Sequence, residues 1–136
     1  MKKLQALLFL SLLFSNLLAD KYVVVSNQKM KALSKTQIRA IFLKKMQIVN
    51  DIKVVPLNTV PKDLLRVSFE KNVLKMSFES LKSYWTSQHY LGHRPPLSMK
   101  SQKSIIAFIK RVDGAIGYIE EKNLDQDLKV LYRWEN

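Results

Sequence analysis

The chain has 136 residues, no cysteine and a formal net charge of +12. Without cysteine there is neither a disulfide framework nor a thiol nucleophile, so an ordinary apolar core must hold the fold, and this length supplies about one domain of it. The cationic excess favours anionic partners, whether small oxyanions, acidic headgroups, cell-wall polymers or nucleic acid. No nucleic-acid motif or aromatic–basic stacking stripe is present, which sets nucleic acid aside.

Lys2 and Lys3 precede an apolar run, Leu4 to Leu18, that ends at Ala19 before Asp20. This is the pattern of a secretory signal peptide over residues 1–19, too short for a comfortable membrane span. It leaves an exported, periplasmic domain at 20–136 that does not span the membrane. Losing Lys2 and Lys3 leaves 21 basic against 11 acidic residues, a net +10.

Tyr22-Val23-Val24-Val25 reads as a buried strand, with Ser26 and Asn27 at its carboxyl end, where open α/β sheets place ligands. Asn27 to Leu33 reads as a polar connection. Ser34-Lys35-Thr36-Gln37 fits a capping box, and Ile38, Ile41 and Phe42 give the helix behind it an inward face, with Lys35, Arg39 and Lys44 outward. Val49-Asn50-Asp51 reads as a turn, Ile52 to Leu57 as a second strand, and Asn58-Thr59-Val60-Pro61 as a loop. The next helix is expected from Pro61 or Lys62, with Leu65, Phe69 and Val73 recurring every four residues.

Ser77 is expected to cap a third helix with Phe78, Leu81 and Trp85 as its buried stripe and Tyr84 beside it; Gly92 stops it. Arg94-Pro95-Pro96 reads as a stiff connection. Ser98 or Ser101 caps a fourth helix carrying Ile105, Phe108, Ile109 and Val112. Asp113-Gly114 is a turn, Ala115 to Ile119 a strand, Glu120 to Leu124 a short helical turn, and Leu128 to Tyr132 a last strand. Gly117, inside a strand, marks either tight packing or room for a ligand or second backbone. Strands separated by helices make a layered α/β domain.

The residues point away from catalysis. Gly92 and Pro95 break the helix that would align His89 with His93 for a metal, and no third ligand is near. Ser26-x-x-Lys29 and Ser68-x-x-Lys71 lack the companion signatures of a serine–lysine nucleophile. Glycines at 92, 114 and 117 make no phosphate loop. A binding domain without cofactor remains. Helix starts at Ser34, Pro61/Lys62 and Ser101 offer free N–H groups. Asn58 and Thr59 precede one of these starts, and Arg66 lies one turn inside it.

An ordered set of stretches carries a family resemblance. It comprises Leu33 to Leu43, Val54-Val55-Pro56-Leu57, Leu65-Arg66 with Phe69 and Val73-Leu74, Met76-Ser77 with Leu81 and Tyr84-Trp85, Pro95-Pro96, and Gly114-Ala115-Ile116-Gly117-Tyr118. Together they resemble the small periplasmic proteins related to the substrate-binding component of phosphate ABC transporters. The resemblance implies a type 2 periplasmic-binding-protein-like α/β fold, here one lobe with a mixed sheet flanked by helices, periplasmic and non-catalytic. It implies a small oxyanion such as phosphate as ligand, held by Ser26, Asn27, Asn58, Thr59 and Arg66, and an ABC permease as partner. Full-size relatives carry glycine-rich anion loops where this chain has Ser26-Asn27-Gln28 and Asn58-Thr59-Val60-Pro61-Lys62. The alternative reading is therefore an interaction module of the cell envelope that kept the fold and lost the pocket. Lys29, Lys31, Lys35 and Arg39 would then dock it on an envelope protein, a polymer or anionic headgroups.

Overall fold

In the computed structural model, which describes residues 20–136, the β-branched run becomes β1, Lys21–Asn27. The targeting segment expected at 1–19 lies outside the described residues. Successive side chains on a strand face opposite ways, and β1 is apolar on both. Tyr22 and Val24 enter one core, Val23 and Val25 another. Such a strand belongs inside a sheet. β1 lies between β6, Ala115–Glu120, and β7, Leu128–Glu135, antiparallel to both.

The sheet order is β5-β4-β6-β1-β7, with β4 at Val55–Thr59 and β5 at Leu97–Met99. β4 runs parallel to β5 and β6. Four strands thus point one way and β1 alone opposes them. Between Val24 and Val25 the partners on β7 jump from Tyr132 to Val130. The extra residue, Leu131, is a bulge that reverses the phase of β7. Leu128 therefore packs in the second core, and Leu131 and Trp134 in the first.

Helices cover both faces. α1, Lys35–Phe42, begins at the expected capping box, with Ser34 accepting from the Gln37 N–H and Gln37 accepting from the Ser34 N–H. Ile38, Ile41 and Phe42 enter the first core, joined by Met30 and Leu33, so the connection read as polar is pinned at two apolar points. α4, Gln102–Arg111, is capped by Ser101 and presses Ile105 and Ile109 into the second core; Phe108 and Val112 are only partly buried.

Four expected boundaries move. The strand read over Ile52 to Leu57 is two pieces. β3, Ile52–Lys53, folds back on β2, Ile48–Val49, and the chain joins the main sheet only at Val55. Asn50 and Asp51 both take positive φ, 48° and 64°, the geometry of a tight two-residue hairpin. Asn58 and Thr59, read as loop, end strand β4 and are buried. The segment after Pro95-Pro96 is a strand, since Leu97 to Met99 pair with Leu57 to Thr59 at the sheet edge; Ser98 therefore caps nothing. α2 starts at Leu64 rather than Pro61 or Lys62, because the Asp63 carboxylate accepts from the Leu65 N–H and fixes the cap there.

α2, Leu64–Phe69, continues as a π-helical turn, Glu70–Leu74, closed by Lys75 at φ 56°. A strict α-helix would rotate residues four apart steadily off a common face. The wider turn keeps Leu65, Phe69 and Val73 all in the first core. α3, Phe78–Tyr90, is capped by Ser77 and packs through Leu81, Tyr84 and Trp85. Phe78, expected in that stripe, is 69% exposed, because the first turn of α3 overhangs the core edge.

Two glycines are explained by what stands beside them. Gly114 has φ +85°, and a Cβ there would come within 2.0 Å of the Lys53 carbonyl oxygen. Gly117 leaves room for α4, not for a ligand, since its Cβ would meet Ile105 Cγ2 at 2.5 Å. Gly114→Ala adds backbone strain to a clash with rigid main chain and should cost more than about 2 kcal/mol. Gly117→Ala meets a side chain that can yield and should cost less, about 1–2 kcal/mol. Urea unfolding of both variants checks the order.

Candidate functional site

Chain order places β5 on one side of β4 and β6 on the other, so the sheet changes direction of winding at the carboxyl end of β4. Open α/β sheets form their crevice at such a point. Here the crevice has a local cause. The Val55 N–H donates to the Gly114 carbonyl, and β4 and β6 keep backbone register only at Val55–Ala115 and Pro56–Ile116. Beyond that the polar groups find side-chain partners instead. The Tyr118 hydroxyl donates to Asn58 Oδ1 at 2.9 Å and accepts from the Thr59 N–H at 3.2 Å.

Around this junction three further groups converge. Arg66 Nη1 donates to the Thr59 carbonyl at 2.8 Å, and Ser98 Oγ donates to the same oxygen at 3.1 Å. Arg66 comes from the first turns of α2, whose start is fixed by Asp63; Ser98 comes from the edge strand β5. Glu70 Oε2 lies 3.6 Å from Arg66 Nε, one helical turn on, and both side chains are largely buried. Two polar atoms here have no hydrogen-bond partner and no solvent: Thr59 Oγ1 and Arg66 Nε. Buried polar atoms in that state carry a free-energy cost and favour any ligand that pairs them.

Burial raises the Glu70 carboxyl above its ordinary range, and Arg66 offsets only part of that. Burial likewise pushes Tyr118 up to about 12, against small opposing effects from its bond to Thr59 and from Arg66. Tyr118 is therefore a neutral phenol, able to donate and accept at once.

The five expected ligand residues do not meet. Asn58, Thr59 and Arg66 converge as described. Ser26 and Asn27 stand at the other end of the sheet, because β1 opposes β4 and its carboxyl end lies level with the start of β4. The separation is about four residues of strand, roughly 13 Å. Ser26 is fully buried and donates to the Ala115 carbonyl at 2.7 Å. Asn27 Nδ2 donates to Asp113 Oδ1 at 2.7 Å, and Lys29 Nζ donates to Asp113 Oδ2. The bond to Lys29, then that to Asn27, lowers the Asp113 carboxyl. These residues tie the end of β1 to the turn before β6. The basic set Lys29, Lys31, Lys35 and Arg39 is likewise not free as a group, since Lys29 is paired and Arg39 Nε is sealed from solvent.

Tyr118, Ser98 and Glu70 were not anticipated at this site. Glu70 was within reach, being four residues after Arg66 on a helix. Tyr118 shares a strand face with Ile116, but which strand lies opposite it is not written in local sequence. Elsewhere, His93 Nδ1 lies 2.7 Å from Gln88 Oε1, and among the described residues no three histidines or acids cluster. No described helix is long and apolar enough to cross a membrane.

No protein-family model matches the sequence, and no curated protein matches it. Solved structures do. An ABC-type phosphate transport receptor from Vibrio cholerae superposes with a TM-score of 0.66 at 19% identity, over 82% of this chain and 45% of that one. A protein of Clostridium perfringens described as a phosphate ABC transporter substrate-binding protein, with bound phosphate, gives 0.65 at 18% identity, over 82% and 44%. The fold is that of one lobe of a phosphate-type periplasmic binding protein. PstS from Borrelia burgdorferi gives 0.61 at 16% identity, over 82% and 46%. This chain thus spans under half the length of the structures it resembles.

Tyr118→Phe leaves Asn58 Oδ1 and the Thr59 N–H without their partner and should destabilise the lobe by about 1–3 kcal/mol in urea. The pH dependence has a definite sign. Below pH 10 the hydroxyl is neutral in both the folded and the unfolded chain, and its contribution is intact. Between 10 and about 12 only the unfolded chain ionises, so stability falls by roughly 3 kcal/mol at most. The difference between wild type and Tyr118→Phe across that range isolates this effect from the other tyrosines and the lysines.

Proposed function

We propose that this chain is an exported solute-binding lobe that holds a small oxyanion, phosphate or a close relative, at the carboxyl end of β4, and serves an ABC-type permease. The observation that carries the reading is Arg66 at the winding switch of the sheet. Its Nη1 donates to the Thr59 carbonyl at 2.8 Å, while its Nε and the Thr59 hydroxyl are both buried without a hydrogen-bond partner. A guanidinium keeps its charge at any ordinary pH and presents a planar fork suited to oxyanions. The Thr59 hydroxyl, which has no partner, supplies a neutral donor. The likeness to a receptor fold solved with phosphate supports the ligand class. A net +10 on residues 20–136 supports steering of anions toward the lobe. Ser26 and Asn27 take no part, and no catalytic step is assigned.

Glu70 sets the terms of binding. Its carboxylate competes with an anion for Arg66, so removing its charge should tighten the site. Sulfate, which does not titrate in the working range, is the clean probe. By calorimetry, Arg66→Ala should abolish sulfate and phosphate binding, and Glu70→Gln should strengthen both about tenfold, which is 1.4 kcal/mol. The Glu70 carboxyl is raised, so lowering the pH protonates it while Arg66 stays charged. Sulfate affinity should therefore rise as pH falls into the weakly acidic range, and that rise should vanish in Glu70→Gln. Equal binding by wild type and Arg66→Ala would remove the site.

A further inference from the structure

A second cationic feature lies at the opposite end of the sheet. α3 ends in a left-handed closure: Gly92, at φ 83°, donates to the His89 carbonyl, and the His93 N–H donates to the Gln88 carbonyl at 2.9 Å. The chain turns back sharply there, and His93 and Arg94 come against the start of β4 and the residues leading into the β2–β3 hairpin. They enclose a cavity of about 370 Å³ whose charged lining is Lys44, Lys53 and Arg94, with His93 and Gln47 beside them. Its lining holds no acidic residue. Among the described residues none of the three cations takes part in an ion pair. Local sequence explains the imbalance. Asp51, at the hairpin turn, is the sole acid between Ala40 and Lys62, and none occurs between Ser80 and Val112.

Exposed apolar side chains adjoin the lining residues of this cavity in strand register and in sequence. Ile48 pairs with Lys53 across the hairpin, so the two side chains share a face. Ile48 is 65% exposed, Leu91 68% and Tyr90 85%. Ile48 stands across from the lining residue Lys53, and Tyr90 and Leu91 run into the lining residue Gly92; large exposed apolar side chains mark a contact surface. The combination with three free cations narrows what is contacted. A soluble anion would use the cavity and gain nothing from the apolar side chains. Another basic protein surface, a second copy included, would be repelled. A bilayer with anionic headgroups satisfies both parts. Phosphates meet the lysines and arginine, the aliphatic side chains enter the acyl boundary, and tyrosine sits at headgroup level.

We propose that the tip formed by the β2–β3 hairpin and the loop after α3 seats this protein on anionic lipid headgroups, with Lys44, Lys53 and Arg94 on the phosphates and Ile48, Tyr90 and Leu91 in the interface. The tip lies at the amino end of β4, so docking there leaves the Thr59 and Arg66 edge open. The proposal stands apart from the anion-binding reading: Arg66→Ala should leave it unchanged.

Cosedimentation with phosphatidylglycerol–phosphatidylcholine vesicles tests it, with pure phosphatidylcholine as reference and circular dichroism to verify folding. Binding is expected only with phosphatidylglycerol. Lys44→Glu with Lys53→Glu and Arg94→Glu should lower it by at least about tenfold. The charge-matched set Lys31→Glu, Lys100→Glu and Lys103→Glu, on other surfaces, should lower it much less. Ile48→Ser with Leu91→Ser should weaken vesicle binding while leaving calorimetric binding of pyrophosphate unchanged. Equal losses from the two charge-reversal sets would overturn the proposal, because attraction would then be generic. Wild-type vesicle binding by the Ile48→Ser, Leu91→Ser variant would also overturn it, making the cavity a seat for soluble anions. So would absence of binding to phosphatidylglycerol vesicles.

Discussion

The Tyr118 hydroxyl holds together the one place where the sheet's own hydrogen bonds run out. Backbone register between β4 and β6 stops at Pro56–Ile116, and two consecutive polar groups of β4 would otherwise be buried unpaired. Tyr118 reaches them because its ring is clamped. It stacks on Phe69 at a centroid distance of 4.1 Å, with Phe42 at 5.9 Å and Trp134 at 6.5 Å. Those rings come from α1, α2 and β7, so the packing of three elements converges on a single phenolic oxygen. An aromatic core fixes the ring, the ring fixes the end of β4, and that end presents the Thr59 carbonyl to Arg66.

The polar edge that results is balanced rather than empty. Arg66 is held by the Thr59 carbonyl and faces Glu70, while the Thr59 hydroxyl and one guanidinium nitrogen go without hydrogen bonds. The glycine-rich loops expected of full-size receptors are replaced by Asn58-Thr59 inside a strand and by a helix whose cap is a carboxylate. Backbone N–H groups that would close on an oxyanion are committed to Tyr118 and Asp63. What this edge presents is side chains, above all a single arginine whose neighbour is a carboxylate.

Much of the architecture was legible because it is written locally. The β-branched run of β1, the capping box at Ser34, the serine caps at 77 and 101 and the stripe of Ile105 and Ile109 depend on neighbours a few residues away, and the structure has them as read. What was not legible depends on direction and on distant partners. A single strand cannot announce that it will run against its neighbours. Ser26 and Asn27 were therefore grouped with Asn58 and Thr59, although β1's reversal carries them to the far end. Val54 looked like the middle of a strand because Ile52 to Leu57 is apolar apart from Lys53. The break comes from the Gly114 turn, sixty residues on, whose carbonyl takes the Val55 N–H and whose missing Cβ admits Lys53. Leu97 to Met99 is too short to be recognised apart from β4, and Phe78 satisfied the helical period yet fell beyond the core edge.

The reversed direction of β1 also decides how the lobe can be handled. Lys21 pairs with Glu135, and Tyr22 lies opposite Glu120, so the first and last described residues emerge beside each other at the Thr59 end. A tag or linker joined next to Asp20 or Asn136 would leave from that end, beside Leu64, Val67 and Ser68 of α2. A label at the carboxyl end of α4, near Arg111, would keep that edge clear.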